Sequence, residues 1–275
     1  QLGIAVPPED LFSDYLYASS TSALTRLHFA RLAIYLRVRF GIPKGGLVVD
    51  LAANDGVLLR PLKKVGFQAV GVEPATNLCQ LASDDGLICF NEFFTQKTVD
   101  QIGPGNADAV TACNVFAHVD DIRAFTENVK RLLKPKGVFV IEVQYLGSMV
   151  KDLTFDNIYL EHLSYFTLSS LMHFVASQGM QVIDVGLVPT HGGSLRLAAA
   201  QDGAWPVSPA VAARMRSEKK AGLQDLGTFQ RFAQRVEEVK EQLPRHLASL
   251  NGRVVGYGAA AKSTTILNYC GIGPE

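Results

Sequence analysis

The sequence lacks the features that mark several large classes of protein. It has only 4 cysteines among 275 residues and no C-x-x-C pair, so no zinc site can be built from their spacing. No apolar run approaches the roughly 18 residues that span a bilayer, and no secretory signal is visible. Neither charge is in excess, because 26 Lys and Arg balance 26 Asp and Glu. We therefore expect no metal in this chain, no membrane association and no nucleic-acid partner.

The few cysteines also indicate the compartment. Cys79, Cys89, Cys113 and Cys270 are scattered, and each falls in an apolar stretch. We predict that all four are buried free thiols, which suits the reducing cytoplasm. The first residue is Gln1 rather than methionine, so we expect this chain to be a piece of a longer protein.

What is present is enough for a substantial core. Hydrophobic residues make up 48% of the sequence, and charged residues make up 19%, which is too few for a disordered chain. The length exceeds a typical domain of roughly 100–200 residues. We expect a helical segment over residues 1–45, a large domain over 46–205, and a helical bridge into a partial second domain over 206–275.

Apolar strands alternate with helical segments in the first half. Strands that are apolar on both faces and alternate with helices indicate a mostly parallel, Rossmann-like α/β sheet that is covered on both sides. Ligands bind such sheets at the carboxyl ends of the strands. The pattern predicts a first helix at 20–40, strands at 47–51, 69–72, 87–90, 109–112 and 138–143, and helices at 56–65, from 74, and at 121–133.

The second half changes this pattern. Two strands around a Gly-Gly turn predict an antiparallel hairpin at one edge of the sheet. A late strand–helix unit predicts the start of a second, partial α/β domain. The predicted elements are an irregular aromatic stretch at 153–166, a helix at 167–178, strands at 182–185 and 195–198, one long or two shorter helices over 208–245, a strand at 253–255 and a helix at 259–269.

The turn after the first strand predicts a cofactor site. Residues 50–56, D-L-A-A-N-D-G, are mostly small, so a ligand can approach the backbone, and the following helix offers free N–H groups. Glu73 ends the second strand, where a carboxylate can accept hydrogen bonds from both ribose hydroxyls. NAD is the alternative ligand. However, the turn lacks G-x-G-x-x-G, and Asp50 and Asp55 would repel a pyrophosphate but suit a sulfonium cofactor with an ammonium group. The sequence thus favours S-adenosylmethionine.

Three further segments carry polar chemistry. N-V-F-A-H (114–118) follows the fourth strand, Y-L-E-H (159–162) lies after the fifth, and H-G-G-S-L-R (191–196) forms the hairpin turn. Each has an ordinary alternative: a structural histidine, a satisfied loop cluster and a plain hairpin turn. Near the start, Y-L-Y-A-S-S (15–20) has no clear local role.

Residues 46–145 resemble class I S-adenosylmethionine-dependent methyltransferases. The likeness is carried by D-x-A-x-N-D-G, V-E-P, N-E-F-F and L-L-K-P-K-G-V. It implies that the cofactor contacts the turn after strand one, that a carboxylate after strand two holds the ribose, and that the adenine and methionine ends follow strands three and four. The cofactor-binding residues are then Asp50, Ala52, Asn54, Asp55, Gly56, Glu73, Pro74, Asn91, Phe93 and Asn114.

The whole set of motifs resembles one narrower family, the sugar C-methyltransferases of deoxysugar biosynthesis, which act on nucleotide-linked 4-keto sugars. Y-x-Y-x-S-S, N-V-x-A-H, Y-x-E-H, H-G-G-S-x-R and a late G-Y-G-A-A-A-K-S carry this likeness. It implies methylation of carbon through a base-generated enolate, with His162 and Tyr159 as the acid/base pair. The other implied site residues are His118 and Glu161 beside that pair, and Tyr17, His191, Gly193, Arg196 and Lys262 toward the substrate.

Two departures from that family lead us to expect that this sequence is a fragment. The family usually begins with a small zinc-binding domain with paired cysteines, which this sequence lacks, and its carboxy-terminal domain is longer. A fragment of this kind need not be active by itself. Two other functions stay open: an O- or N-methyltransferase on a sugar or small metabolite, and a non-catalytic relative that only binds nucleotide-sugar or cofactor.

The late glycine-rich segment also leaves alternatives open. G-Y-G-A-A-A-K-S (256–263) nearly fits a phosphate-binding P-loop, but Ala261 stands where that loop has glycine. It also fits G-x-G-x-x-A, a weak dinucleotide signal, or a simple packing turn. The reading that agrees with the family resemblance is a helix start whose Lys262 touches the diphosphate of a nucleotide-sugar. The sequence carries no signal of oligomeric state.

Overall fold

The computed structural model describes residues 2–258 and 261–273, and in this part of the chain seven strands form one sheet. The strand order is β3-β2-β1-β4-β5-β7-β6. Strands β1 to β5 pair in parallel, whereas β7 runs antiparallel to both β5 and β6. This confirms the mostly parallel sheet with an antiparallel edge hairpin. The strands are β1 (Leu47–Leu51), β2 (Gln68–Val72), β3 (Ile88–Phe90), β4 (Ala107–Cys113), β5 (Leu133–Gln144), β6 (Met180–Val188) and β7 (Ser194–Gln201).

Helices cover the sheet, and side chains cap several of them. Ser22 accepts a hydrogen bond from Thr25 at the start of α2, and Asp121 accepts two at the start of α6. The described helices are α1 (Pro8–Phe12), α2 (Ala23–Phe40), α3 (Leu59–Lys64), α4 (Thr76–Asp84), α5 (Gln96–Ile102), α6 (Ile122–Leu132), α7 (Leu146–Asp152), α8 (Leu168–Ser177), α9 (Pro209–Lys220), α10 (Leu226–Ala248) and α11 (Ala261–Cys270), with 3-10 turns at Ser19–Thr21 and Phe155–Asn157.

The core lies on both faces of the sheet, which explains the continuous apolar runs. Along β1, Val48 packs with α2 and α3 on one face, while Val49 packs with α6 and α8 on the other. On β5, Val138 packs on the same face as Val48, and Phe139 packs on the same face as Val49. Successive strand residues point to opposite faces, so a strand buried on both sides needs apolar residues at every position.

One predicted element is wrong. Residues 253–255 do not form a strand, and the side chains of Val254 and Val255 are 51% and 73% exposed. A β-strand needs a neighbour for its backbone hydrogen bonds, and none of the described strands lies beside this segment. Helix α11 follows as predicted, but it is described from Ala261, since residues 259 and 260 lie outside the described residues. The predicted division of the chain near residues 45 and 205 stays a prediction.

Smaller differences have local causes. Strand β5 begins at Leu133, so the K-P-K-G segment lies within this strand, whereas the sequence predicted that it ends a helix. The pairing of β5 with β4 shifts register at this segment. Helix α7 is not among the elements predicted from the sequence. The 208–245 stretch is two helices, broken where Gly222 has φ +66°. All four cysteines are free thiols, but Cys89 and Cys113 are only partly buried.

No described helix combines the length and the apolar character that a bilayer span requires. Within residues 2–258 and 261–273, no group of three His, Cys, Asp or Glu side chains could hold a metal ion.

A buried glutamate joins the later helices to the sheet domain. Glu218 of α9 is 0% exposed and accepts hydrogen bonds from Leu168 N (2.6 Å) and Ser169 N (3.0 Å). Glu218 therefore caps the start of α8 from a different helix. Thr167, the residue directly before α8, supplies a second cap.

We expect Glu218→Ala to lower the free energy of unfolding by roughly 2–4 kcal/mol, because two N–H groups at the start of α8 lose their acceptor. Urea unfolding followed by circular dichroism measures this change. Glu238→Ala, at an exposed position of α10, is the matched control and should stay within about 0.5 kcal/mol. Equal stability of the two variants would contradict the capping role.

Candidate active site

A cavity of about 380 Å³ opens where β1, β2, β4 and β5 end. Its floor comes from residues at these strand ends, among them Asp50, Glu73, Asn114 and Gln144. The amino-terminal segment over residues 8–19 lies across it. The volume falls in the range of roughly 300–1,000 Å³ that is typical of small-molecule sites.

Strained backbone concentrates around this cavity. Ala52, Asn54, Asn114 and His191 all line it, and all have positive φ, between 50° and 57°. This left-handed region costs a non-glycine residue about 1 kcal/mol or more. Such residues persist where the surrounding structure holds them, and they cluster at functional sites. The strain therefore supports a site at the strand ends.

Glu73 is locked in place by backbone amides. Its Oε2 accepts from Asn54 N at 2.7 Å and its Oε1 accepts from Ala75 N at 2.8 Å. Burial raises the pKa of Glu73, although these two hydrogen bonds oppose the shift. Each carboxylate oxygen can accept a second hydrogen bond. The group can thus receive two hydroxyl donors of a ligand without moving.

Asp50 is a second buried carboxylate in the same cavity. It is 4% exposed, and Thr111 Oγ1 donates to its Oδ1 at 2.6 Å. Burial raises the pKa of Asp50 to about 7 against the effect of the Thr111 hydrogen bond, and the charges of Glu73 and Glu142 raise it further. Neither Asp50 nor Glu73 forms an ion pair within the described residues. This end of the cavity fits a ligand that brings a cation and hydroxyl groups.

Histidines form a second group of lining residues, which we call the histidine end of the cavity. His162 Nδ1 lies 2.7 Å from the carbonyl oxygen of Asn157. A carbonyl can only accept, so Nδ1 carries the hydrogen and Nε2 of the neutral ring keeps its lone pair. Burial lowers the pKa of His162, while the Asn157 hydrogen bond raises it, with a net lowering. At neutral pH His162 is therefore unprotonated and its Nε2 is basic.

His118 and Tyr159 stand beside His162. Their ring centroids lie 5.0 Å and 4.2 Å from that of His162. Burial, followed by the His162 and His191 charges, lowers the pKa of His118 to about 3, so it stays neutral. Burial and the charge of Glu161 raise the pKa of Tyr159 to about 12, so its hydroxyl stays protonated and can donate. The cluster therefore combines a neutral base with a phenol donor.

Most of the residues expected at the site do meet in this cavity. The predicted residues that line it are Tyr17, Asp50, Ala52, Asn54, Glu73, Pro74, Phe93, Asn114, His118, Tyr159, His162 and His191. Among the described residues, the predicted ones outside its lining are Asp55, Gly56, Asn91, Glu161, Gly193, Arg196 and Lys262. The function of every one of them stays a prediction.

Several of the residues outside the lining form hydrogen bonds to the segments that line the cavity. Asn91 Nδ2 donates to the carbonyl oxygens of Glu73 (3.0 Å) and Pro74 (2.9 Å). Asp55 Oδ2 accepts from Ser20 N at 3.3 Å. Gly56 has φ +79°, and a Cβ there would meet Leu87 Cδ1 at 2.4 Å, so a side chain at this position would be strained and would displace Leu87.

Other predicted substrate residues are placed differently. Arg196 pairs with the buried Glu142, which also binds His28 Nε2 at 2.6 Å. Gly193, at φ +106°, lies against Ser148. Lys262 lies near enough to the histidine end for its charge to lower the pKa of His162 and of His191.

Sequence reasoning missed several cavity residues. Tyr15 lines the cavity and its hydroxyl donates to Glu161 at 3.1 Å, so Glu161 turns toward the amino-terminal segment. Phe12 stacks on His118 with ring centroids 5.7 Å apart. In the sequence, Tyr15 stands in the Y-L-Y motif, which pointed to no particular role, and Gln144 stands in no motif.

Two family models match the chain. Residues 26–185 match a methyltransferase domain, and residues 189–275 match a C-methyltransferase C-terminal domain. The C-methyltransferase NovU of Streptomyces niveus is 36% identical over 98% of this chain and 66% of its own length. The chain thus spans just under two thirds of that relative.

Solved structures share the fold. One is the 1,6-didemethyltoxoflavin-N1-methyltransferase of Burkholderia thailandensis with bound S-adenosylhomocysteine, at 18% identity and a TM-score of 0.51 over 66% of this chain and 83% of that one. Another is the magnesium protoporphyrin IX methyltransferase ChlM of Synechocystis PCC 6803 with bound S-adenosylhomocysteine, at 17% identity and a TM-score of 0.50 over 64% and 83%. These similarities establish a Rossmann-like methyltransferase fold.

The Asp50 carboxyl should make the ligand-free protein less stable as pH rises. Its folded pKa of about 7 exceeds the value of about 4 in an unfolded chain, so folding takes up a proton between these limits. We expect stability relative to Asp50→Asn to fall from pH 5 to pH 7, by at most about 1.4 kcal/mol for each pH unit.

Urea unfolding of the parent and Asp50→Asn at pH 5, 6 and 7 measures this difference. Asp202→Asn, at an exposed position, is the control and should follow the parent at every pH. Thr111→Val removes the hydrogen bond that stabilises the ionised form, so it should raise the pKa of Asp50 and extend the fall to higher pH. Parallel curves for parent and Asp50→Asn would refute the shift.

Proposed function

Because the chain belongs to the methyltransferase family and its residues 189–275 match the model of a C-methyltransferase C-terminal domain, we propose that it methylates a carbon atom of a nucleotide-linked 4-keto deoxysugar with S-adenosylmethionine. The observation that carries this proposal is the composition of the cavity lining. Buried carboxylates and a neutral histidine with a free lone pair line the same cavity. A cationic methyl donor and a carbon acid need these two environments side by side.

The carboxylate end supports the choice of cofactor. Asp50 would face the ammonium group of S-adenosylmethionine, and Glu73 would accept from its ribose hydroxyls. We infer that Pro74 and Phe93 supply apolar surface for the adenine and that Asn114 contacts the methionine end. The turn that contains Ala52 and Asn54 brings backbone close to the ligand. When bound, S-adenosylmethionine would supply an electrophilic methyl group for the substrate carbon.

The histidine end supports the chemistry of a carbon acid. A ketone at C4 acidifies the neighbouring C–H, and His162 Nε2 accepts that proton. Tyr159, protonated at neutral pH because burial and the charge of Glu161 raise its pKa to about 12, donates a hydrogen bond to the enolate oxygen. His118 is neutral and can hold a second polar group of the sugar. The proton stays on His162 until it exchanges with solvent, and general base catalysis of this kind contributes about 10²–10⁴-fold.

The residues around the cavity suggest how the rest of the substrate binds. His191 and Tyr17 line the cavity, and we infer that they contact the sugar. Lys262 is a cation near the histidine end, at the start of α11, where it can reach a diphosphate. Glu161, held by Tyr15, positions the loop that carries Tyr159 and His162.

We expect His162→Asn to lose proton exchange while keeping cofactor binding. The parent is incubated in deuterium oxide with a 4-keto sugar nucleotide and S-adenosylhomocysteine, and NMR follows deuterium uptake next to the ketone. His162→Asn should exchange about a hundredfold more slowly or worse, since a general base is worth at least that much. His173→Asn, at an exposed position of α8, is the control.

Three outcomes would count against this assignment. If His162→Asn exchanges at the parental rate, His162 is not the base and Tyr159 becomes the next candidate. If the parent methylates an oxygen or nitrogen and leaves the C–H label in place, the chain is an O- or N-methyltransferase. Binding of S-adenosylmethionine without any methyl transfer would indicate a non-catalytic relative.

Lys262→Ala should raise the KM for the nucleotide-sugar about tenfold and leave the affinity for S-adenosylmethionine unchanged, because a charged hydrogen bond to phosphate is worth roughly 1.5–3 kcal/mol. Steady-state kinetics and calorimetry measure the two quantities. Lys219→Ala, exposed on α9, is the matched control. A change in cofactor affinity, or turnover of ATP by the parent, would overturn this assignment.

A further inference from the structure

We propose that Gln144 and Asn157 form a positioning pair that holds His162 in the tautomer and orientation needed to take a proton. The inference rests on the proposed function, because it takes His162 as the base. Neither residue stands in a motif that the sequence marked, and neither needs to touch the reacting atoms.

The pair is a short chain of hydrogen bonds. Gln144 Nε2 donates to Asn157 Oδ1 at 2.7 Å, and Asn157 Nδ2 donates to the carbonyl oxygen of Thr154 at 2.9 Å. The Asn157 carbonyl oxygen in turn accepts from His162 Nδ1 at 2.7 Å. Asn157 is 2% exposed. Both the oxygen and the nitrogen of its side-chain amide are therefore hydrogen-bonded. These bonds hold the main-chain carbonyl of Asn157 in the direction of His162.

Rigid elements support the pair from two sides. Gln144 is the last residue of β5, paired across the sheet with Ser194 of β7. On the other side, Phe155 of the Phe155–Asn157 turn packs on Tyr269 of α11, with ring centroids 5.5 Å apart. Tyr269 is itself fixed by donating to Glu237 at 2.7 Å. The turn is thus held between the sheet and the two last helices, and sites built on rigid elements are the more exact ones.

The Asn157 carbonyl also adjusts the basicity of His162. The titratable groups around this imidazole are Tyr159, Tyr165, His118, His191 and Lys262. Burial lowers the pKa of His162, the hydrogen bond to Asn157 raises it, and the charges of Lys262 and His191 lower it again. Loosening the main-chain carbonyl of Asn157 therefore removes an influence that raises the pKa of His162.

Gln144→Met tests the pair, since methionine keeps the length of the side chain but removes the donor. We expect deuterium exchange and kcat to fall about tenfold, because a misplacement of about 1 Å can cost up to about a hundredfold in rate. The affinity for S-adenosylmethionine should stay unchanged, and the acidic limb of the kcat/KM profile should move to lower pH. Gln181→Met, half-buried on β6 and outside the cavity lining, is the matched control and should behave as the parent.

Asn157→Asp provides the opposite shift and is a second test of the pair, because it keeps the acceptor for Gln144 Nε2. A carboxylate next to His162 stabilises the imidazolium, so the acidic limb should move to higher pH. Two-bond ¹H–¹⁵N spectra of labelled histidine, recorded without substrate, report the tautomer. The parent should show Nδ1 protonated, and Gln144→Met should show a mixture of both tautomers.

The failures of the two proposals can be told apart. If the parent itself shows no exchange, the proposed function fails whatever the variants do. If the parent exchanges and His162→Asn does not, but Gln144→Met matches the parent in rate, pH profile and tautomer, then the positioning pair is refuted. A uniform loss in both pair variants with no change in pH profile or tautomer would show a merely structural role and would also refute it.

Discussion

The site depends on the hydrogen bonds that the buried Glu73 carboxylate accepts from Asn54 N and Ala75 N. These two bonds join the turn after β1 to the start of α4, so the ends of β1 and β2, which contribute to the floor of the cavity, share one support. Asn54 extends the connection, because its side chain accepts from Ser19 N at 2.8 Å and donates to the carbonyl of Tyr17 at 3.0 Å. The amino-terminal segment that covers the cavity is thereby fixed to the turn that we propose binds the cofactor.

Burial acts in opposite directions on the carboxylates and on the histidines of the cavity. It raises the pKa of Asp50 and Glu73, because a dry environment disfavours a negative charge, and it lowers the pKa of His118 and His162, because it disfavours a positive one. One end therefore gains from a cationic ligand, while the other holds neutral imidazole at neutral pH. A single cavity can thus bring together a positively charged methyl donor and an unprotonated base.

A third buried carboxylate shows the contrasting case. Glu142 of β5 is 0% exposed, and burial alone would raise its pKa, but the hydrogen bond from His28 and the charge of Arg196 lower it overall. The pairing joins α2, β5 and β7 behind the cavity. Because its partners already compensate its charge, Glu142 has no need of a ligand, whereas Asp50 and Glu73 have no cationic partner among the described residues.

The sequence by itself determined the class of the sheet. Apolar strands alternating with helices predicted that it is mostly parallel, and many of the residues named in the motifs at the strand ends line the cavity, among them Asp50 and His162. It could not determine which polar side chains pair with each other. Glu161 meets Tyr15 across 146 positions, and Arg196 meets Glu142 across 54. The strand at 253–255 failed for the same reason: periodicity reports which face of an element is apolar, but a hydrogen-bond partner from a distant element is fixed only when the chain has folded.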